Sequence, residues 1–339
     1  MSNLEEGLPV PNPIKVAVLG FWHVHAAEYA ARVRQHPDTE LIGVWDDDPA
    51  RGQAAAEALD TAFLDDLDDL LARDLDAVTV TAATSQHHGI MISAASASKH
   101  IFTEKLLAPT VAEAEEIIAT ADQADVALVV SLPRLYHGYT RAIVEELHNG
   151  RLGEPTYCRA RLSHDGAIAG WLPERFYDPT AAVGGALSDL GCHPVYLTQL
   201  FLGTSPATVS AIYGSLTRRR VEDQAVVTLG YSGGAIGVAE TGFLSRDPFT
   251  IEIHGTRASL TYDSTENMLR VRDAGSDTWQ PLALPDDDAD PFGQWVTHIR
   301  NGTRADDNLA RAVELSRLVS AANTSAASGT TVRYAIGAR

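Results

Sequence analysis

The chain has 339 residues, with 26 basic against 45 acidic side chains and a net charge of −19. That length suits two domains rather than one core. The charge argues against nucleic acid and anionic membrane surfaces as partners, because a surface this negative repels phosphate. No run of about 18 apolar residues is present to cross a bilayer. Two cysteines, Cys158 and Cys192, are too few for a disulfide framework or a cysteine-rich metal site. The first 13 residues, MSNLEEGLPVPNP, lack the basic start and apolar core of a secretory signal. They read as a flexible arm, and the cytoplasm is the expected compartment.

Ile14–Leu19 is a compact apolar run, IKVAVL, closed by Gly20, and reads as a buried parallel strand. The patterning then predicts a helix over 24–35, a strand over 41–46 and an alanine-rich helix over 50–59. A strand over 76–82, a helix over 89–98 and a short strand over 100–105 follow, then a helix over 111–124 and a strand over 126–132. This alternation predicts right-handed crossovers and a doubly wound parallel sheet, an α/β domain of Rossmann type spanning 14–132.

From residue 133 the pattern changes. Helices are expected over 139–148 and 186–201, and TYCRARLS alternates like a strand with one solvated face. Strands then arrive in close succession between 207 and 263, with the SGG link at 232–234 suited to a hairpin. Neighbouring strands without helices between them predict a mostly antiparallel sheet in an α+β domain covering 133–339. Two further helices are expected over 291–301 and 308–322.

A strand, a tight turn and a helix form the setting in which a helix N-terminus receives a dinucleotide pyrophosphate. The usual fingerprint is G-x-G-x-x-G, and here the window reads Gly20-Phe21-Trp22-His23-Val24-His25. Trp22 and His25 stand where the second and third glycines would be. Asp46 ends the second strand, 26 residues after Gly20, where a carboxylate can bond the adenosine ribose hydroxyls. With Asp47 and Asp48 beside it, a 2′-phosphate would be repelled, so NAD is expected in preference to NADP.

Three stretches together resemble the Gfo/Idh/MocA family of glucose–fructose oxidoreductases and inositol dehydrogenases. The first is this N-terminal βαβ unit. The second is Thr84-Ser85-Gln86-His87-His88 followed by Lys99-His100-Ile101-Phe102-Thr103-Glu104-Lys105, similar to T-P-x-x-H and G-K-H-V-x-x-E-K-P. The third, Gly184-Gly185-Ala186-Leu187-Ser188-Asp189-Leu190-Gly191-Cys192-His193, is similar to G-G-G-x-x-x-D-x-G-x-H with Val183 in place of the first glycine.

The resemblance implies a Rossmann domain followed by a domain with an open-faced sheet, and an active site in the cleft between them. It implies Lys105 as general acid/base or orienting group, with Asp189 and His193 on the substrate. It also implies Thr84, His88 and Glu104 as cofactor contacts beside Gly20, Phe21, Trp22, His23, His25, Asp46 and Lys105. On a helix Asp189 and His193 are four residues apart and share a face, so the carboxylate is expected to orient the imidazole. Leu106 replaces the family's proline, which predicts a less rigid turn after Lys105. Trp22 is placed either to stack on the nicotinamide or to block it.

The resulting expectation is NAD-dependent hydride transfer at a secondary hydroxyl of a polyol, sugar or related small molecule. Arg134, Tyr136, His164, Arg175 and Tyr177 are candidate readers of the other hydroxyls. Two alternatives stay open. One is a tightly NAD-bound enzyme with net glycoside cleavage or isomerisation. The other is a non-catalytic binding or sensor protein of the same fold. Histidines are numerous, but no H-E-x-x-H or comparable spacing is present, so no metal is assigned. An apolar open sheet implies a homodimer or homotetramer.

Overall fold

The computed structural model describes residues 12–334, so most of the N-terminal arm, residues 1–11, lies outside the described residues. Six parallel strands form the first sheet. They are β1 (Ile14–Leu19), β2 (Thr39–Trp45), β3 (Phe63–Leu64), β4 (Ala77–Val80), β5 (His100–Thr103) and β6 (Leu128–Val130), in the spatial order β3-β2-β1-β4-β5-β6. Helices α1 (Ala26–Gln35), α2 (Pro49–Leu59), α3 (Leu67–Leu71), α4 (His87–Ser96) and α5 (Val111–Gln123) connect them. The central strands are apolar because helices cover both faces. Val16, Ala17, Val18 and Leu19 are wholly buried.

Helix starts follow local chemistry. Pro49 opens α2 behind Asp48, whose side chain accepts from the Ala50 and Arg51 amides. Thr110 and Glu113 form a reciprocal capping box on α5. The first helix begins at Ala26, two residues later than expected, because 20–25 folds into a turn in which the His23 amide donates to Thr81 O (3.0 Å). The very short β3 and five-residue α3 carry too little periodicity to be read from sequence.

The second sheet has nine strands. They are β7 (Pro155–Ser163), β8 (Thr208–Gly214), β9 (Gln224–Gly230), β10 (Ile236–Gly242), β11 (Thr250–Gly255), β12 (Ala258–Asp263), β13 (Met268–Asp273), β14 (Gln280–Leu282) and β15 (Val332–Arg333). Their order is β14-β13-β12-β11-β7-β10-β9-β8-β15, antiparallel except for the β7–β10 pair. The SGG link does join a hairpin, β9 to β10, with Gly234 at φ 89°. Strands β13, β14 and β15 extend the sheet beyond the expected set. Helix α6 (Gly138–His148) leads in, and a short α7 (Gly166–Ala169) follows β7. Helix α8 (Cys192–Leu202) packs on β7 and β10.

The two helices ahead of β15 do not stay with the second sheet. Helix α9 (Pro291–Asn301) returns to the Rossmann sheet, where Phe292, Trp295 and Val296 pack among Ile14, Val16, Phe102 and Val129. Helix α10 (Asp306–Ser328) is longer than expected and lies between the two units, against α5 and β6 on one side and α8 and β8 on the other. The sequence boundary near 133 therefore marks a change of sheet, not a clean division into blocks. Asn308 on α10 fastens the edge strand of the first sheet: its Oδ1 accepts from Val130 N (2.8 Å) and its Nδ2 donates to Val130 O (2.9 Å).

Both bonds are buried, and a buried backbone group left unpaired costs about 1–3 kcal/mol. Asn308→Leu should therefore destabilise the fold by about 2–4 kcal/mol in urea unfolding. A loss below about 0.5 kcal/mol, the range of ordinary surface changes, would show that this clamp carries no weight.

Candidate active site

Lys105 follows β5 at the C-terminal edge of the Rossmann sheet, where open α/β sheets place ligands. Glu104 before it is buried, and its Oε2 accepts from the Lys105 amide (2.7 Å). Its Oε1 accepts from the Tyr29 hydroxyl (3.3 Å). The turn after Lys105 is held despite the missing proline. Leu106 is buried, and the His87 ring lies between the carbonyls of Leu106 (2.8 Å) and Ala82 (3.3 Å). Burial lowers the pKa of His87, so the ring is neutral at neutral pH. His87 was missed as a site-building residue, because the histidine of the T-P-x-x-H resemblance falls on His88.

The opposite wall comes from the second domain. The expected helix over 186–201 is not uniform: Leu187–Gly191 form a π-helical turn ahead of α8. Such turns recur at functional sites because they redirect one side chain. Glu222 fixes its start, with Oε1 accepting from the Gly185 and Leu187 amides, both at 3.0 Å. Gly185 is needed there, since a Cβ would lie 2.2 Å from Glu222 O.

The turn hands Asp189 to Lys105, not to His193. Lys105 Nζ donates to Asp189 Oδ1 at 3.0 Å, and His23 Nε2 lies 3.2 Å from the same oxygen. His193 instead pairs through Nδ1 with the Tyr196 hydroxyl (2.9 Å), which also accepts from the Arg134 amide. The expected carboxylate–imidazole pair is thus absent, because regular helical spacing does not apply through the π turn.

Electrostatics follow from these contacts. Burial alone would lower the Lys105 pKa, but Asp189 and Glu104 raise it overall, so Lys105 is an ammonium. Burial alone would raise Asp189, yet Lys105 and the His23 hydrogen bond hold it far below the usual carboxylate range. His193 is pushed well down by burial, then by Arg134 and Lys105, and is neutral. Burial, with Lys105 beside it, also lowers His23.

The turn from β1 to α1 carries side chains where the fingerprint has glycines. Gly20 has φ 90°, and a Cβ there would meet the Ala82 backbone at 2.5 Å. Phe21 packs toward Val18 and Val44, and its amide donates to Asp46 Oδ2 (2.6 Å). Trp22 does not face the cavity. It is buried between Ala83 and the second domain, stacked on Phe176 at 4.6 Å, and its carbonyl accepts from Arg175 Nε. His23 is buried against Lys105 and Asp189, and His25 is half-exposed on the cavity wall.

Asp46 is not free. Arg51 grips it through Nε (2.9 Å) and Nη2 (2.6 Å), and the Asp48 amide donates to it as well. Arg51 also reaches Asp47 (2.6 Å), a neighbour that the sequence reading overlooked. Thr84 sits in a 3₁₀ turn, Thr84–Gln86, after β4. His88 turns outward to Glu116 on α5 (3.0 Å) and takes no part in the cleft.

A cavity of about 390 Å³ opens beside these groups, lined among others by Glu104, Lys105, Asp189, His193, Arg134 and His164. Of the five candidate substrate readers, Arg134 and His164 are in its wall. Tyr177 is buried under the Arg219 guanidinium, Arg175 holds Trp22, and Tyr136 lies outside the lining. Gly20, Asp46, Thr84 and Lys105 lie along the C-terminal edges of β1, β2, β4 and β5, the track a dinucleotide follows across such a sheet, and the bare Gly20 turn fits one, while the expected ribose contact of Asp46 is closed off by Arg51.

Comparison with known proteins agrees with this layout. The chain is 30% identical to 1,5-anhydro-D-fructose reductase of Ensifer adhaerens over 194 residues, 55% of this chain and 56% of that protein. The matched stretch thus spans about half the length of that relative. Myo-inositol 2-dehydrogenase of Thermotoga maritima is 25% identical over 264 residues, 74% of this chain and 75% of that protein. The solved structure of levoglucosan dehydrogenase, in complex with NADH and levoglucosan, superposes with a TM-score of 0.82 at 17% identity. That superposition covers 96% of this chain and all of that one, and shows the shared fold. Residues 14–132 match the model of an oxidoreductase family with an NAD-binding Rossmann fold, and residues 140–261 match the C-terminal domain model of the same family, so the chain belongs to the Gfo/Idh/MocA oxidoreductases.

Proposed function

We propose that this chain interconverts a secondary hydroxyl of a polyol, sugar or related small molecule and the matching ketone, using a nicotinamide dinucleotide. The observation that carries this reading is the convergence of an ammonium, Lys105, and a neutral imidazole, His193, on one cavity of about 390 Å³. That size lies within the range of about 300–1,000 Å³ typical of small-molecule sites. The two curated relatives above, by name, act on an anhydro sugar and on a cyclic polyol.

The nicotinamide, when bound, takes or returns the hydride at the carbinol carbon. In the oxidation direction His193 accepts the hydroxyl proton, and Lys105 stabilises the alkoxide that forms. In reduction the same two groups act in reverse. Asp189 is a positioning residue: it aims Lys105 and keeps it charged. Gly20 and Thr84 hold the dinucleotide, and Asp46, itself taken up by Arg51 and the Phe21 and Asp48 amides, shapes the ribose end of the track. Three carboxylates, Asp46, Asp47 and Asp48, face one guanidinium, Arg51, which favours NAD over NADP.

Lys105→Ala should leave the dinucleotide-induced thermal shift in place, larger with NAD(H) than with NADP(H) at about 1 mM, since a ligand at about 100 times its Kd adds about 2.7 kcal/mol. Turnover on a polyol and sugar panel should fall at least about 100-fold, the effect of losing a charge that stabilises the developing alkoxide. Full activity in this variant would remove the mechanism. Wild-type protein that shows no shift with any of the four nucleotides would remove the cofactor reading.

The proton-accepting role also has a pH signature. Because His193 is depressed below the ordinary histidine value of 6.5, it stays neutral through neutral pH. The oxidation rate should hold as pH falls from 8 to about 6.5 and decline only in more acidic buffer. A decline already complete at pH 7 would exclude His193 as the base.

The outer face of the second sheet exposes Ile212, Val226 and Ile236 on three adjacent strands, β8, β9 and β10. Exposed apolar sheet is costly, so a second copy of the chain is the proposed cover. Light scattering should return a dimer or tetramer, and a monomer at micromolar concentration would remove this proposal.

A further inference from the structure

Hydride transfer as proposed takes no step through His23 or His25 in the turn between β1 and α1. We propose that His23, His25 and Glu104 form a binding site for one divalent transition-metal ion of the zinc class, set in the cavity wall beside Lys105. Their donor atoms all lie within 4.8 Å of one another. His23 Nδ1 stands 3.7 Å from Glu104 Oε1. A tetrahedral zinc with bonds of about 2.0–2.2 Å keeps its donors on the order of 3.3 Å apart. The ion would displace the His25 amide, which donates to His23 Nδ1 at 3.3 Å.

Two imidazoles and one carboxylate with a position left open is a donor set found in catalytic zinc sites. The second observation is the outer shell. A metal-bound histidine usually gives its other ring nitrogen to a carboxylate, which fixes the ring. Both histidines here have that partner: His23 Nε2 is 3.2 Å from Asp189 Oδ1, and His25 Nδ1 is 3.2 Å from Glu28 Oε2. The ligating carboxylate is held as well, Oε2 by the Lys105 amide and Oε1 by the Tyr29 hydroxyl.

Lys105 Nζ is the nearest cation, 3.4 Å from His23 Nε2, on the side of the ring away from Nδ1. Glu28, Glu104 and Asp189 supply negative charge around the site, against Lys105 and the Glu28-bound Arg32. Because His25 and Glu104 both line the cavity, the open position of the ion faces it. The ligand class it would take is an oxygen of a hydroxylated or carbonyl-bearing molecule. Sequence spacing offers no sign of such a set, because Glu104 lies 79 residues beyond His25.

The site stands on these side chains and not on hydride transfer, so it is tested without dinucleotide. Full-length chain stripped with a chelator is titrated with Co²⁺ and followed by visible absorption. The expected result is one equivalent bound per chain, displaced by Zn²⁺. His25→Gln, a change at a half-exposed position, should raise the Kd by more than about 100-fold, beyond the 10–100-fold typical of losing an outer-shell partner. His88→Gln, on the surface of α4, should leave the Kd unchanged. Absence of stoichiometric Co²⁺ binding to the wild type overturns the proposal, and so does unchanged affinity in a folded His25→Gln variant.

Discussion

The pair of buried Lys105 and partly buried Asp189 is the constraint on which the rest of the site depends. It joins the end of β5 in the Rossmann sheet to the π turn ahead of α8 in the second domain. Removing two charges from water is costly, and their attraction compensates only where geometry is good and the remaining valences are met. The surroundings meet them. His23 contacts both partners, Glu104 adds a second carboxylate near the ammonium, and Glu222 pins the turn that carries Asp189. The same charges that hold the domains together keep Lys105 protonated, so architecture and chemistry share one interaction.

The turn between β1 and α1 serves that pair. In a glycine-rich fingerprint this turn is bare backbone that a pyrophosphate can approach. Here it is a structural wedge as well: Trp22 fills the space between Ala83 and Phe176, and His23 reaches under Lys105. The side chains at 22 and 25 shape this turn without disturbing the sheet, because position 20 is glycine and a Cβ there would meet the Ala82 backbone. On the far side, α9 and α10 cross back onto the first sheet and make the two halves interdependent through Trp295 and Asn308. Cleft geometry is consequently tied to packing near the C-terminal end of the chain.

Much of this was legible from local pattern. Apolar runs such as IKVAVL and the switch from alternating helices to closely spaced strands near 133 sufficed for the two-sheet architecture, while Lys105, Asp189 and His193 were picked out through the family resemblance. Strand and helix periodicities are properties of neighbouring residues, so a linear sequence displays them directly. The short β3, β14 and β15 were invisible for the same reason: two or three residues hold no period, and only pairing with a formed sheet makes them strands.

What tertiary structure alone decided is who touches whom. Asp189 was matched to His193 by helical spacing, yet a π turn, stabilised by Glu222 from a distant loop, gave it to Lys105. Asp46 looked free for a ribose, but Arg51 and two backbone amides occupy it. His88 was preferred to His87, although the fold buries the latter against Leu106 and leaves the former on the surface. The sequence by itself determined the periodic elements and the chemical types present in each motif. Protonation and pairing depend on burial and on partners far along the chain, 166 residues apart for His23 and Asp189, and those quantities exist only once the two sheets have closed on each other.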